Sequence, residues 1–309
     1  MSSVPPAARE AILAWYGQHG RRLAFRQTRD PYAILVSETM AQQTQAARAA
    51  SHWHRFMERF PTVASLAAAT PADVLRAWQG LGYDRRGLAL WRTARVVVEQ
   101  HGGRIPTSVA ELQALPGIGP YTARALAAIA FGQRVGAVDV NVRRVLGRIV
   151  AGTSALELSA GELQRLADEV VPPDRPADWT HALMDVGATL CRPRDPRCGS
   201  CPARPWCKLD MQVSDRPLPQ AAPVSMGARR AGQRSRTPFA STNRWLRGRI
   251  LDRLRAAPDG RWVTLDSTIG SHEPDRVKAA VAAMAADGLL ELRMSGEPHS
   301  ILRARLPLA

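Results

Sequence analysis

The amino-acid sequence predicts an all-α domain over residues 1–209, a linker over 210–241 and a small winged-helix-like module over 242–309. Apolar residues recur at helical spacing throughout residues 1–190, and no alternating strand pattern interrupts them. The four cysteines of the chain all lie in residues 191–207, at the end of this helical stretch. The segment that follows is rich in proline, serine, alanine and arginine and lacks apolar periodicity, which predicts a flexible basic linker.

Proline near the first turn and glycine after the last turn mark several of the predicted helices of the first domain. The second helix is predicted to continue without a break until Pro61. In chain order, the predicted helices are PPAAREAILAWYGQHG, PYAILVSETMAQQTQAARAASHWHRFMERF, PADVLRAWQGLG, DRRGLALWRTARVVVEQHGG, SVAELQALPGIG, PYTARALAAIAFGQ, VNVRRVLGRIVAG, SAGELQRLADEVV and DWTHALMDVGATLC. The connections between them are short.

The last part of the chain alternates helical and strand-like patterns. NRWLRGRILDRLRAA and EPDRVKAAVAAMAADGLL have helical character, whereas RWVTL, LLELRM and HSILRARL are strand-like. A helix, a short strand, a second helix and a two-stranded wing are typical of a winged-helix module. The pattern leaves two roles open for it, contact with DNA or packing alone.

The charge of the chain predicts a polyanionic partner. There are 42 basic and 27 acidic residues, which give a net charge of +15. Nearly all the basic residues are arginine, and a compositional bias explains that choice but not the excess of positive charge. Nucleic acid is therefore the first expected partner and an anionic membrane surface the second.

The sequence also indicates a location in the cell. It contains no run of eighteen apolar residues, so no membrane span is expected. The N-terminus lacks the basic start and apolar run of a signal peptide. A cytoplasmic protein is expected.

The spacing of the cysteines, Cys191-x6-Cys198-x2-Cys201-x5-Cys207, predicts a metal centre. Two disulfides would close only short loops, and a chain of 309 residues can bury an adequate core without them. Four thiolates suit tetrahedral zinc or a [4Fe–4S] cluster. Structural zinc usually uses two Cys-x2-Cys pairs, whereas only the middle pair has that spacing here, so the pattern favours the cluster.

LPGIGPYTARALA, residues 115–127, joins two predicted helices through Gly117 and Gly119. Glycines permit left-handed backbone angles and a close approach to a ligand. The amides that open the following helix form an anion site suited to phosphate. The stretch is therefore interpreted as a helix-hairpin-helix DNA-binding motif rather than an ordinary turn between helices.

Two carboxylates are candidates for chemistry. Asp139 precedes a predicted helix, where an N-cap role is the simplest reading, but next to a DNA-binding hairpin it could also stabilise a cationic sugar. Glu38 lies in the apolar stretch AILVSETM; it is either an exposed helix residue or a general acid whose pKa an apolar wall raises. Gln42 and Gln43 follow it and carry uncharged donors and acceptors suited to base edges.

Taken together, the cysteine spacing, the hairpin and the aspartate resemble the helix-hairpin-helix DNA glycosylases of the endonuclease III class. Within that superfamily, DPYAILVSETMAQQTQ, GLGY and VDVNVRRVLGR are similar to the MutY adenine glycosylases, in particular short-tailed forms from high-GC bacteria. The match covers residues 8–208. It implies a mostly helical, two-lobed core that holds double-stranded DNA between its lobes, and a structural [4Fe–4S] cluster. A bacterial, nucleoid-associated monomer is expected.

The resemblance also implies roles for the site residues. Glycosylases that also cut the strand have a lysine where this chain has Tyr121, and a phenol cannot form an imine, so a monofunctional enzyme is expected. Glu38 would protonate adenine at N7, and Asp139 would stabilise the oxocarbenium-like sugar before water adds. Tyr121 and Asn141 would donate or accept hydrogen bonds in this pocket.

Further residues are implied in DNA contact. Arg26 would contact the flipped base, and Gln43 and Tyr83 would fill the gap that it leaves in the duplex. His181 stands where many relatives have Gln or Glu near the base edge. Flipping a base out costs less at a mismatch than in paired DNA.

Some positions depart from the family pattern. Leu23-Ala24-Phe25-Arg26 replaces Leu-Pro-Trp-Arg, Met40-Ala41-Gln42-Gln43 replaces Met-Leu-Gln-Gln, and Ala46 stands where valine is common. Small residues at that position also occur in thymine glycosylases that act on G·T mismatches, and residues 242–309 are too short for the usual Nudix-like domain.

The expected function is excision of adenine opposite 8-oxoguanine or guanine. Two alternatives stay open. The first is excision of thymine or uracil from G·T and G·U mismatches by the same mechanism. The second is a non-catalytic iron–sulfur protein that binds DNA.

Overall fold

The computed structural model describes residues 4–152, 158–213, 238–295 and 301–308. The chain forms two compact units. The first combines Met1–Glu38 with Ile105–Arg229, and the second combines Thr39–Arg104 with Arg230–Ala309. The division of the sequence at 209 and 241 stays a prediction, because residues 214–237 of the predicted linker lie outside the described residues.

Helices dominate the described residues, which confirms the predicted fold class. They are α1 (Pro6–His19), α2 (Pro31–Ala41), α3 (Ala46–Arg59), α4 (Val63–Ala67), α5 (Pro71–Ala77), α6 (Arg85–His101), α7 (Val109–Ala114), α8 (Pro120–Phe131), α9 (Val140–Ala151), α10 (Ala160–Glu169), α11 (Pro176–Asp185), α12 (Lys208–Val213), α13 (Asn243–Ala256) and α14 (Pro274–Ala286). The strands are β1 (Val263–Thr264), β2 (Glu291–Ser295) and β3 (Ile301–Arg305). None of the described helices is long and apolar enough to cross a membrane.

Local sequence accounts for several helix ends. Ser159 and Glu162 form a reciprocal capping box at the start of α10, and Ser108 caps α7 by accepting a bond from the amide of Glu111. Gly102, Gly132 and Gly152 end α6, α8 and α9 in the left-handed conformation. Glycine is favoured at such ends because it has no Cβ to clash.

The prediction of one unbroken helix as far as Pro61 is wrong. The structure divides this stretch into α2 and α3, and Gln43 between them has a φ of 54°. A left-handed residue cannot continue a right-handed helix. Arg86 stabilises the break, because its guanidinium donates to the carbonyls of Thr39 (2.9 Å) and Met40 (3.2 Å), which a continuous helix would have bonded internally.

The core of the first unit lies where α1, α9, α10 and α11 meet. Ile12 of α1, Leu146 of α9, Leu163 of α10 and Trp179 of α11 are all buried there. This packing fixes the first turn of α9, where Asp139 and Asn141 lie, against the same core as α11.

The second unit places the C-terminal module on the same core as helices α5 and α6. Leu75 and Leu88 of those helices share a buried cluster with Leu246 and Ile250 of α13, and with Met284 of α14. The predicted small sheet is confirmed, with the antiparallel order β1-β3-β2. The amide of Ala72 also donates to the carbonyl of Pro307 at 3.0 Å, so the end of the chain is bonded to the start of α5.

Candidate active site

Glu38 occupies a buried position in α2 and is paired with Tyr121. The phenol of Tyr121 donates to Oε2 of Glu38 at 3.0 Å and lies 3.6 Å from the sulfur of Met184. Glu38 is only 8 % exposed, between the buried Val36 and Met40. The structure therefore excludes the interpretation of Glu38 as an exposed helix residue.

The surroundings of Glu38 favour its protonated form. Burial raises the pKa of Glu38, and the hydrogen bond from Tyr121 and the charge of Arg26 oppose that rise only in part. Burial, together with the neighbouring carboxylate of Glu38, raises the pKa of Tyr121 well above its usual value. The phenol consequently stays neutral and keeps its proton for hydrogen bonding.

Asp139 caps α9, as one of the two readings of its sequence position anticipated. Its Oδ1 accepts from the amides of Asn141 (2.8 Å) and Val142 (2.7 Å). Its Oδ2 accepts from the side-chain amide of Asn141 at 2.8 Å. The carboxylate is thus held rigidly at a helix N-terminus, and its charge acts on Glu38.

A chain of hydrogen bonds continues from Asp139 to the cysteine segment. The side-chain oxygen of Asn141 accepts from Arg144 at 2.8 Å. Arg144 also donates to the carbonyls of Gly187 (2.7 Å) and Cys191 (2.6 Å). One arginine therefore joins the carboxylate site to the segment that carries the first cysteine.

Arg26 is held by Asp185, a residue that sequence reasoning missed. The guanidinium of Arg26 makes two parallel bonds to the carboxylate of Asp185, both of 2.9 Å, and Arg21 adds a bond of 2.7 Å. Asp185 is fully buried, and although burial opposes it, the hydrogen bonds and charges of these arginines lower the pKa of Asp185. The sequence around Asp185 gives no sign of this ion pair, because its partner Arg26 lies 159 positions earlier in the chain.

His181 lies one turn before Asp185 on α11 and is buried. Burial, with the positive charge of Arg26, lowers the pKa of His181 to about 3, so its imidazole is neutral at physiological pH. Its ring lies 6.2 Å from the ring of Tyr16 between centroids. A neutral imidazole can both donate and accept, which suits contact with the edge of a base.

The predicted hairpin is formed by α7, the turn at Leu115–Gly119 and α8. Gly117 has a φ of 76°, the left-handed conformation that favours glycine. Gly119 caps α8, and a Cβ there would meet no atom within 4 Å, so this side of the turn is open. The amides at the start of α8 therefore face a space that a phosphate could enter.

All four cysteines line one cavity of about 30 Å³ in the first unit. They are free thiols, and no three His, Cys, Asp or Glu side chains among the described residues converge closely enough to hold a single metal ion. Four thiolates around one cavity are a donor set that suits a [4Fe–4S] cluster or a tetrahedral zinc ion.

The surroundings of this cavity fit an anionic group. Arg148 lines it and is buried, and its Nη1 lies 3.4 Å from the sulfur of Cys191. The Nε of Arg148 is buried and has no partner among the described residues. Burial raises the pKa of Cys201 to about 12, so bound iron would have to supply the charge that makes it a thiolate.

Gln42, Gln43 and Tyr83 belong to the second unit. Tyr83 is 46 % exposed and, like Gln43, has a left-handed backbone, with a φ of 50°. Arg86 bonds to the carbonyls of Gln42 and of Gly82 (3.0 Å), and so joins the two segments. Sequence reasoning did not select Arg86 as a candidate, although a basic residue three positions after the proposed DNA contact Tyr83 could have indicated it.

The comparisons with known proteins agree with this geometry. The model of the HhH-GPD superfamily of base excision DNA repair proteins matches residues 36–173. The chain is 39% identical over 298 residues to the adenine DNA glycosylase of Mycobacterium tuberculosis, covering 92% of this chain and 90% of that protein. The chain therefore belongs to the HhH-GPD superfamily, in which its similarity to adenine DNA glycosylases extends over almost its whole length.

Solved structures show the same fold. A thermostable thymine-DNA glycosylase is 30% identical, with a TM-score of 0.62, covering 66% of this chain and 95% of that one. A non-covalent endonuclease III–DNA complex is 20% identical, with a TM-score of 0.58 and coverages of 67% and 95%. The helix-hairpin-helix glycosylase architecture expected from the sequence is thereby confirmed.

Proposed function

We propose that the protein is a monofunctional DNA glycosylase that hydrolyses the N-glycosidic bond of adenine opposite 8-oxoguanine or guanine in double-stranded DNA. The observation that carries the proposal is the buried, hydrogen-bonded pair of Glu38 and Tyr121. The charge of Asp139 also acts on this pair and raises the pKa of Glu38. The similarity to adenine DNA glycosylases over 92% of the chain supports adenine as the base.

Glu38 is the proposed general acid. Its raised pKa favours the protonated carboxyl group, and that proton passes to N7 of adenine. The protonated base then leaves as a neutral species. Tyr121 orients the carboxyl group through its hydrogen bond of 3.0 Å.

Asp139 is the proposed stabiliser of the sugar. As the bond to the base breaks, positive charge develops at C1′, and a fixed carboxylate stabilises that charge most in the transition state. Asn141 holds Oδ2 of Asp139 in position. Water then adds to C1′, and because Tyr121 has no amine, no imine forms and the strand stays intact.

DNA binding requires residues from several elements. We assign phosphate contact to the turn of Gly117 and Gly119, and contact with the flipped base to Arg26 and His181. Gln42, Gln43 and Tyr83 are assigned to the gap left in the duplex. Opening the duplex costs a few kcal/mol and is least costly at a mismatch, which contributes to selectivity.

The cysteine cavity is the proposed site of a [4Fe–4S] cluster. Cys191, Cys198, Cys201 and Cys207 would hold it, and when bound it would supply a rigid, charged anchor for the loop. Purified protein should be brown and contain about four irons per chain. One zinc and no iron in folded, active protein would contradict this assignment.

A second candidate substrate is thymine or uracil opposite guanine, which the 30% identity to a thymine-DNA glycosylase favours. Single-turnover assays should use duplexes that carry A, T or U opposite G or 8-oxoguanine. We expect release of adenine only. Release of T or U without adenine would show that the enzyme excises thymine or uracil instead. Release of no base from any duplex would support the non-catalytic alternative.

A further inference from the structure

The second unit contains an open groove of about 1060 Å³, whose lining includes Gln42, Gln43 and Tyr83 but also arginines to which no role has been assigned. The turn after α2, the loop before α6 and one face of α13, from Asn243 to Arg255, form most of its walls. Seven arginines and three aspartates line it, an excess of four positive charges, and it has no glutamate or lysine. The groove therefore attracts an anion, and half of its wall comes from the C-terminal module.

The arginines of the groove differ in how far they are already neutralised. Arg247 pairs with Asp287 at 2.6 Å, and Arg249 pairs with Asp252 at 2.7 Å. Arg48 and Arg244 are exposed, and neither guanidinium has an ion pair within the part of the chain that the structure describes. Arg48 and Arg244 therefore combine exposure to a ligand with a positive charge that no described carboxylate neutralises.

Tyr83 lies close to two of the groove's guanidinium groups. Arg244 of the C-terminal module stands 4.7 Å from the centroid of its ring, and Arg86 stands 5.5 Å from it. Both distances are in the range of cation–π contact. The C-terminal module therefore contacts directly the exposed aromatic side chain that we assign to the gap in the duplex.

We propose that this groove binds the phosphodiester backbone of a DNA strand next to Tyr83, with Arg48 and Arg244 as its phosphate contacts. The inference rests on the proposed function, which it extends by giving the C-terminal module a share in DNA binding. A strand fits because it combines regularly spaced negative charge with bases that can stack on an exposed phenol ring. Arg244 serves both needs, since it is available to a phosphate and also positions Tyr83.

The test is the salt dependence of binding to an undamaged, fluorescently labelled duplex, measured by anisotropy with the full chain. Each phosphate contact contributes about 0.9 to the slope of log K against log salt concentration. We expect Arg244→Gln and Arg48→Gln each to weaken binding several-fold and to make the slope shallower by about one. The double variant should lose about two.

Arg253→Gln is the matched control, because Arg253 is exposed on α13 but does not line the groove. It removes the same charge and should leave the slope as in the wild type. Arg244→Lys should preserve the slope, since it keeps the charge. If Arg244→Gln and Arg48→Gln also bind as the wild type does, the groove is not a DNA site, and packing is the only role left for α13.

The outcome is separable from that of the proposed function. An active wild type with unchanged slopes in the variants would overturn the groove proposal and leave the glycosylase assignment intact. Altered slopes in a protein that releases no base would uphold the groove and overturn the glycosylase assignment.

Discussion

The carboxylate site of the first unit and the Tyr83 surface of the second unit are built in opposite ways. Glu38 is 8 % exposed and accepts a hydrogen bond from Tyr121. Asp185 is fully buried and bonded to Arg21 and Arg26. Tyr83 is 46 % exposed and, with Gln43, adopts a backbone conformation that is unfavourable for a side chain. The first arrangement restricts motion and excludes water, whereas the second presents side chains to whatever binds.

The difference follows from what each region must do under our proposal. Acid catalysis and stabilisation of a sugar cation need fixed charges in a poorly solvated place. Insertion into a duplex needs an exposed side chain, and the strain of its backbone is stored at the site where it acts. Substitutions in the first region should therefore change the rate of base release, and those in the second should change DNA affinity and stability.

The largest effect is expected for Asp139→Asn. Asparagine is as good an N-cap as aspartate, so α9 should stay intact, but the charge that stabilises the sugar cation is lost. Base release should fall by about 10²–10³-fold or more, while DNA affinity stays near that of the wild type. Single-turnover kinetics and a binding titration measure the two quantities. If the variant releases base at the wild-type rate, Asp139 is a helix cap without a catalytic role.

Glu38→Gln should also abolish most base release, because an amide cannot protonate the base. In the wild type, the active form carries the proton, so base release should decline as pH rises through the raised pKa of Glu38. The free energy of unfolding should change in the same direction. Because the folded state raises the pKa of Glu38, the protonated carboxyl group contributes stability at low pH, and this contribution is lost as pH rises through the folded-state pKa. Thermal melts of wild type and Glu38→Gln across pH should thus show the variant gaining relative stability at high pH.

The next prediction concerns the strand rather than the base. Wild-type product should be an intact abasic strand that breaks only in alkali, and borohydride should trap little protein on DNA. Tyr121→Lys should gain trapping, since it brings an amine to the pocket beside Glu38. Tyr121→Phe is the control and should gain none. Substantial trapping by the wild type would show that another amine reaches the sugar, and the monofunctional proposal would fail.

Arg144→Gln should have a smaller effect on the same reaction. The substitution breaks the bonds to Asn141, Gly187 and the carbonyl of Cys191, which together orient the partner of Asp139. We expect base release to slow by about tenfold, because misplacement of a catalytic group costs less than its removal. A variant that releases base at the normal rate would mean that the N-cap bonds alone position Asp139.

The sequence predicted the parts of this site whose geometry is local. Asp139 caps the helix that follows it directly, and Gly117 adopts the left-handed turn its motif requires. Asp185 was missed because Arg26 lies 159 positions away, and apolar spacing on α11 carries no sign of that partner.

The break between α2 and α3 was missed for the same reason. It depends on Arg86, whose side chain reaches carbonyls more than forty positions earlier in the chain. Helical periodicity continues through the stretch, so only the tertiary contact distinguishes two helices from one.

The smallest effect tests the strain in the second region. Gln43 has a φ of 54°, where any side chain with a Cβ is disfavoured by about 1–2 kcal/mol. Gln43→Gly removes that cost and Gln43→Ala keeps it, so glycine should give the more stable protein by about 1 kcal/mol in denaturant unfolding. Ser51 is the control: it is exposed in the interior of α3, where alanine should be more stable than glycine by about 0.5–1 kcal/mol. Equal stability of the two Gln43 variants would show that the turn relaxes without strain, and the contrast between the two regions would then rest on exposure alone.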